Sequence, residues 1–379
     1  MTDVFFTPKQ LELQRKVKEF TEKHIIPVAR EYDESGEYPE WVFKEAHKAG
    51  LNCLVIPEEY GGPGYDSLAV GLAVEEWGYG CAGFATGLSA NGLASYPLAI
   101  AGTEKQKQLY YSRLVAGGKG CFALTEPGAG SDAGAVSTVA KLEGEEWVLN
   151  GTKCFATQGG YADIYVIFAS TDLSKGAKGL SAFIVERERE GLAVGAVEHK
   201  MGIRASNTVE LQLKNVRIPK DHLLGQEGEG MKIAIKTLDM ARPIVAAMSV
   251  GVARRALDEA IKYVKTQLDA EGKSLAEHQS VGFKIADMAT QIEAARLLVY
   301  HCLRLKDSGQ PYSKEAAMAK MFATETAMKV TRDAVELMGS YGYSQDSIVE
   351  KLMRDAKITQ IYEGTNQVQR IVISGQLLK

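Results

Sequence analysis

The chain has 379 residues, 45% of them hydrophobic and 24% charged, with a net charge of −4. It is longer than the size at which one hydrophobic core keeps growing, and its composition carries no disorder signature, so two or three packed units are expected. No clustered basic run is present, which excludes a nucleic-acid surface and leaves a small molecule or another protein as partner.

In chain order the sequence falls into three textures. From residue 7 to about 118, apolar positions recur at helical spacing, as at Leu11, Val17 and Phe20 and again at Trp41, Val42 and Ala46, with breaks at Pro39 and over 57–64. From 121 to 225, short β-branched and aromatic runs at 147–149, 165–168, 182–185 and 209–213 alternate with Gly, Asp and Lys turns. From about 230 onward, helical periodicity returns over 253–265, 281–308 and 314–338. The predicted fold is multidomain α+β: an N-terminal helical domain over 1–118, a small β-barrel or sandwich over 119–226, and a C-terminal bundle of four or five helices over 227–379. No apolar stretch reaches the ~20 residues that span a bilayer, and the N-terminus is polar within a few residues, so neither membrane insertion nor export is expected. Cys53, Cys81, Cys121, Cys154 and Cys302 are odd in number and scattered. They show neither metal-ligand spacing nor a disulfide framework, so a cytoplasmic protein with reduced thiols and no metal site is expected.

The sharpest local signal is the segment 353–370, MRDAKITQIYEGTNQVQR. A helical pattern runs into Ile361 and Tyr362, Glu363 follows at once, and Gly364 and Thr365 permit a turn before the pattern resumes. Aromatic and apolar flanks at such a break desolvate a carboxylate, which raises its pKa toward the range of a general base. The alternative for the same residue is a solvated or helix-capping glutamate.

This segment resembles the signature of the acyl-CoA dehydrogenase family, where IYEGT carries the catalytic glutamate. LTEPGAGSD at 124–132 is similar to the family's first signature, and NGTKCFATQGG at 150–160 resembles the strand that lies against the flavin. KMGIRASNT at 200–208 and VRIPKDHLLG at 216–225 match later segments in the same order and at similar spacing. The resemblance implies an FAD enzyme in which Glu363 removes the α-proton of an acyl-CoA thioester and flavin N5 takes the β-hydride. The product would be the 2,3-enoyl-CoA, with electrons passed to an electron-transfer flavoprotein. By the same resemblance Leu124, Thr125, Phe155 and Thr157 line the isoalloxazine, and Thr365 and Gln367 contact it from the C-terminal side. His278 and Gln279 would line the region of the ADP half, while Ser131, Ser206, Asp239, Arg242, Tyr362 and Gly364 are the implied substrate contacts. Without the resemblance, EPGAGSD reads as a surface turn and Ser206 as a turn residue. Asp239 and Arg242 then read as an exposed helical ion pair, worth roughly a few tenths of a kcal/mol. Some members place the base just before the arginine of LDMARP; Ala241 stands there, which leaves Glu363 as the candidate.

The sequence also departs from the family pattern. Leu268 and Glu271 stand where Arg and Phe reach the ADP half on a neighbouring subunit, and AVELMGSYG at 334–342 has Glu336 for Gln and Gly339-Ser340 for Gly-Gly. A lost guanidinium and two added carboxylates near a pyrophosphate predict that the ADP half is held weakly or differently. Reduction of an enoyl-CoA by the same site, a CoA-thioester lyase and a non-enzymatic CoA-thioester-binding subunit stay open as alternatives. Residues 81–100, which the resemblance places near the acyl chain, are small and apolar, with Asn91 and Ser95 as polar exceptions that fit packing better than substrate contact. The absence of arginine there disfavours a dicarboxyl substrate. The resemblance further implies a homotetramer, a dimer of dimers with FAD at the interface.

Overall fold

Six helices open the chain in the computed structural model, which describes residues 5–378. A capping box between Thr7 and Gln10 starts α1 (Pro8–Phe20), and α2 (Ala29–Ser35) and α3 (Glu40–Lys48) follow, the latter entered from Pro39. Asp66 caps α4 (Ser67–Gly80), α5 spans Ala82–Ala101, and a second capping box, Thr103 with Gln106, starts α6 (Glu104–Val115). α4 and α5 are apolar almost all round and buried along most of their length, as suits helices in the middle of a shared core.

The middle of the chain is one connected eight-stranded mixed sheet. Its strands are β1 (Gly120–Ala123), β2 (Val139–Glu143), β3 (Glu146–Thr157), β4 (Ile164–Ser170), β5 (Leu180–Glu186), β6 (Leu192–Val197), β7 (Thr208–Pro219) and β8 (Leu223–Leu224). They run in the order β6-β7-β3-β2-β4-β5-β8, with β1 pairing β4 in parallel. β4 and β5 are buried at every position, which explains their continuous rather than alternating apolar runs.

Five helices complete the chain: α7 (Gly230–Thr266), α8 (Gln279–Asp307), α9 (Ser313–Tyr343), α10 (Ile348–Thr359) and α11 (Asn366–Leu377). α7 begins well before its predicted apolar stretch, because Pro243 and Gly251 are absorbed inside it. Gly251 and Gly78 let α7 cross α4 closely: a Cβ on Gly251 would lie 2.1 Å from the Glu75 carbonyl oxygen, and one on Gly78 2.4 Å from that of Met248. One hydrophobic core therefore runs from α1, α4 and α5 into α7, α8, α9 and α10, while two smaller cores sit on the faces of the sheet. No helix among the described residues is long and apolar enough to cross a membrane, and no group of His, Cys, Asp and Glu among them could hold a metal.

Candidate active site

The turn between α10 and α11 places Glu363 and Gly364 consecutively in the left-handed region, at φ of +58° and +86°. For glutamate that backbone costs on the order of 1–2 kcal/mol and persists only where the surroundings enforce it. Two helices do so. From α9, the fully buried Lys320 donates from Nζ to the Gly364 carbonyl and to Asn366 Oδ1, both at 2.9 Å. From α11, Gln369 Nε2 donates to the same Gly364 carbonyl at 2.8 Å and to that of Glu363 at 3.3 Å. Asn366 is held in turn by Thr324, at 3.0 Å, and Thr365 caps α11.

The Glu363 carboxyl is half-buried, and its Oε2 is enclosed with no hydrogen-bond partner. Burial pushes its pKa up to about 7, against the pull of the nearby Arg242 and Lys320 cations. Burial likewise pushes Lys320 down to about 7, with Glu363 opposing. Arg242 is 4% exposed, is paired with Asp239 one turn away on α7, and leaves its Nε unpartnered. Tyr362 points its hydroxyl at Met248 Sδ, 3.5 Å away, and burial raises its phenol pKa. A carboxyl poised near neutrality, with neither oxygen hydrogen-bonded and two flanking cations, is suited to taking up a proton and returning it.

A second group of residues gathers on β3. The Cys154 N–H donates to the Thr125 carbonyl at 2.9 Å, tying the segment after β1 to the strand. The pairing of β3 with β7 slips between Lys153 and Ala156, and Phe155 lies in that irregularity at φ +54° with its side chain 59% exposed. Leu124 is buried, and Thr125 and Thr157 are half-buried. Beneath them the enclosed Lys153 reaches Glu126 Oε1 at 2.7 Å and the Leu124 carbonyl at 3.1 Å. Burial alone would raise the Glu126 pKa, but Lys153 and the hydrogen bonds from Ser137 and Thr138 bring it to about 2.

Three family models match the chain in order: the acyl-CoA dehydrogenase N-terminal domain over 7–118, the middle domain over 121–216 and the C-terminal domain over 228–378. The chain belongs to the acyl-CoA dehydrogenase family. It is 45% identical to the short-chain specific acyl-CoA dehydrogenase of Clostridium acetobutylicum, covering all of both chains. It is equally 45% identical to an acryloyl-CoA reductase (NADH) of Anaerotignum propionicum, over 100% of this chain and 96% of that one. A solved structure described as the electron transferring flavoprotein of Acidaminococcus fermentans, with a view to flavin-based electron bifurcation, matches with a TM-score of 0.97 and 47% identity, covering both chains fully.

The structure of this acyl-CoA dehydrogenase family member brings Tyr362, Glu363, Gly364, Asp239 and Arg242 into one neighbourhood and sets Leu124, Thr125, Phe155 and Thr157 together on the sheet. Asp239 and Arg242 are not the exposed pair that composition alone suggests; burial raises the Asp239 pKa despite its partner. Ser131 is exposed in its loop, whereas Ser206 is fully enclosed with its hydroxyl unpartnered. Thr365 lies in the turn, and Gln367 faces solvent. Asn91 is a packing residue that donates to the Asn52 and Gly118 carbonyls and accepts from the Gly120 N–H; Ser95 donates to the Asn91 carbonyl.

Gln279 opens α8, and His278, its N-cap, ends the connection beyond α7. There Asp269 accepts from the N–H groups of Glu271 and Lys273 and bonds His278 Nε2 at 2.7 Å, while Leu268 is 64% exposed. Glu336 has cations of its own chain beside it: Lys284 lies 2.7 Å and Arg332 3.6 Å from its carboxylate. Gly339 takes φ +57° and ψ −135°, a kink inside α9 that glycine accepts readily. Sequence reasoning missed Lys320, Asn366, Gln369 and the Glu126–Lys153 pair. Lys320 carries a visible signal, since it interrupts the buried stripe of Ala316, Ala319, Ala323 and Ala327 on α9.

Proposed function

We propose that the chain is an FAD-dependent acyl-CoA dehydrogenase of short acyl thioesters, with Glu363 as the base that takes the α-proton. The observation that carries this reading is the enforced left-handed turn at Glu363, which holds a desolvated, unpartnered carboxyl near neutral pKa. The residues on β3 fit a flavin: an exposed aromatic ring at a strand irregularity, flanked by Leu124, Thr125 and Thr157 and braced from below by a buried ion pair. When bound, the flavin supplies the hydride acceptor that no side chain can provide. Thr365 and Gln367 would contact it from the turn, and His278 and Gln279 would serve the ADP half of a neighbouring copy in a dimer of dimers.

Glu363 receives the proton on its carboxylate, while Arg242 and Lys320 favour that charged form beforehand. The Glu363 backbone N–H is the proposed donor to the thioester oxygen, where charge develops as the proton leaves. Short substrates are supported by the short-chain specific relative. An electron-transfer flavoprotein as acceptor is supported by the Acidaminococcus fermentans structure. The acryloyl-CoA reductase relative supports a second reading, reduction of a 2,3-enoyl-CoA, in which the half-protonated Glu363 returns its proton.

The test is anaerobic addition of butanoyl-CoA to the FAD-loaded protein and to E363Q. Bleaching of the flavin in the first and none in the second is expected. Failure of every short straight-chain acyl-CoA to bleach the flavin, or undiminished bleaching by E363Q, refutes the reading. Oxidation of NADH on adding crotonyl-CoA, with and without an electron-transfer flavoprotein, decides the direction.

A further inference from the structure

The segment that leaves β1 beside Phe155 has all three of its carbonyls engaged. That of Leu124 accepts from Lys153 Nζ at 3.1 Å, that of Thr125 from the Cys154 N–H at 2.9 Å, and that of Glu126 from the Ala129 N–H at 3.0 Å. The Glu126 side chain adds a further anchor. Its Oε2 accepts from both the N–H and the hydroxyl of Ser137 at 2.7 Å, and its Oε1 from the Thr138 N–H at 3.0 Å and from Lys153 Nζ at 2.7 Å. Both charged residues are enclosed, Glu126 at 3% and Lys153 at 0% exposure. Thr125 differs: it is half-buried, and neither its N–H nor its hydroxyl bonds to any described residue.

A buried ion pair adds little net stability, because desolvating both charges offsets much of their attraction, and apolar side chains of similar size often do as well. What apolar side chains cannot do is fix polar backbone in one orientation. Here the cation takes the Leu124 carbonyl and the carboxylate takes the Ser137 and Thr138 N–H groups, so both ends of the stretch 124–138 are tied to one point on β3. With the carbonyls drawn inward, the edge beside Phe155 and Thr157 is left with the Thr125 donors. Preorganised donors suit the pyrimidine end of a flavin, which is rich in acceptors and gains negative charge on reduction. We propose that Lys153 and Glu126 are positioning residues of the flavin site: they hold the carbonyls of 124–126 away from the cofactor, keep the Thr125 donors free for it, and thereby set FAD affinity. The inference rests on the FAD-dependent reading above and extends it to two residues that themselves touch no ligand.

The experiment titrates FAD into the flavin-free protein by flavin fluorescence, beside urea denaturation of the same samples. E126Q, which leaves the Lys153 cation stranded, is expected to lose both stability and FAD affinity. E126Q/K153M removes both charges and is expected to recover the urea midpoint, since no lone charge stays buried, yet to bind FAD about tenfold more weakly than the parent. A pair that only braces the sheet predicts that FAD affinity returns together with the midpoint, and that result overturns the proposal. If the double variant does not fold, S137A decides, since it withdraws only the hydroxyl bond from Glu126: FAD binding about threefold weaker is expected, and unchanged binding overturns the proposal. If the variants weaken FAD binding as expected but no acyl-CoA bleaches the flavin of the parent, the dehydrogenase reading fails while the positioning role stands. A parent that binds no FAD overturns both.

Discussion

Replacing Lys320 with methionine removes an ammonium from beside Glu363 while keeping an unbranched stem of similar length. Gln369 still holds the Gly364 carbonyl at 2.8 Å, so the turn keeps one of its two anchors. A neighbouring opposite charge lowers a carboxyl pKa by about 1–3 units. Lys320, itself held near 7, is only half protonated at neutral pH, so the lower end of that range applies. Loss of the cation therefore raises the Glu363 pKa by about one unit from its value of about 7. At pH 7 the carboxylate fraction drops from about one half to about one tenth, and the rate of proton abstraction falls about fivefold. Above pH 9 the two proteins should differ little. The assay is single-turnover bleaching of bound flavin by butanoyl-CoA, followed across pH. An acid limb that stays in place or moves to lower pH would refute the electrostatic role, and a uniform loss at every pH would reduce Lys320 to a backbone anchor.

Glu363→Gln should abolish bleaching, and removal of a general base typically costs 10²–10⁴-fold in rate. The same change should stabilise the flavin-free protein at high pH. The folded carboxyl, raised from 4.5 to about 7, keeps its proton where the unfolded one has lost it, so its favourable contribution is complete below pH 4.5 and lost as pH rises through 7. Urea denaturation should thus show E363Q more stable than the parent by up to about 3 kcal/mol at pH 8, with the gap closing near pH 4.5. Glu126→Gln strands the enclosed Lys153 ammonium, and a loss of about 3–5 kcal/mol is expected by the same method. Phe155→Ala should leave stability within about 0.5 kcal/mol, because the ring is exposed, yet lower the flavin content after dialysis.

Much of the architecture was legible because its signals are local. The Pro39 break and the apolar runs of β4 and β5 act within a few residues of where they are read. Glu363 was legible for the same reason: its break is written into Gly364 and Thr365. The parts that escaped depend on partners far away in sequence. Nothing near Lys320 says that its amine meets a carbonyl at residue 364, and nothing in LDMARP says whether its ion pair faces water or the core. The run of α7 through Pro243 and Gly251 was hidden as well, since only the crossing of α4 over α7 shows that the glycine is needed for close approach. The cation beside Glu336 was hidden for the same reason, because Lys284 lies on another helix.

The length of α7 has a consequence for genetics. From Arg242 to Thr266 the helix runs roughly 36 Å at 1.5 Å per residue, so the connection carrying Leu268 and His278 stands far from the Glu363 site of its own chain. On the proposed reading, one chain's catalytic turn and the ADP-half connection that completes it come from different copies. Two alleles, one crippled at Glu363 and the other at His278 and Gln279, should then complement: mixed assemblies would contain some sites built wholly from intact parts. Refolding the two defective proteins together should recover activity that neither shows alone, whereas a cofactor site confined to a single chain would recover none.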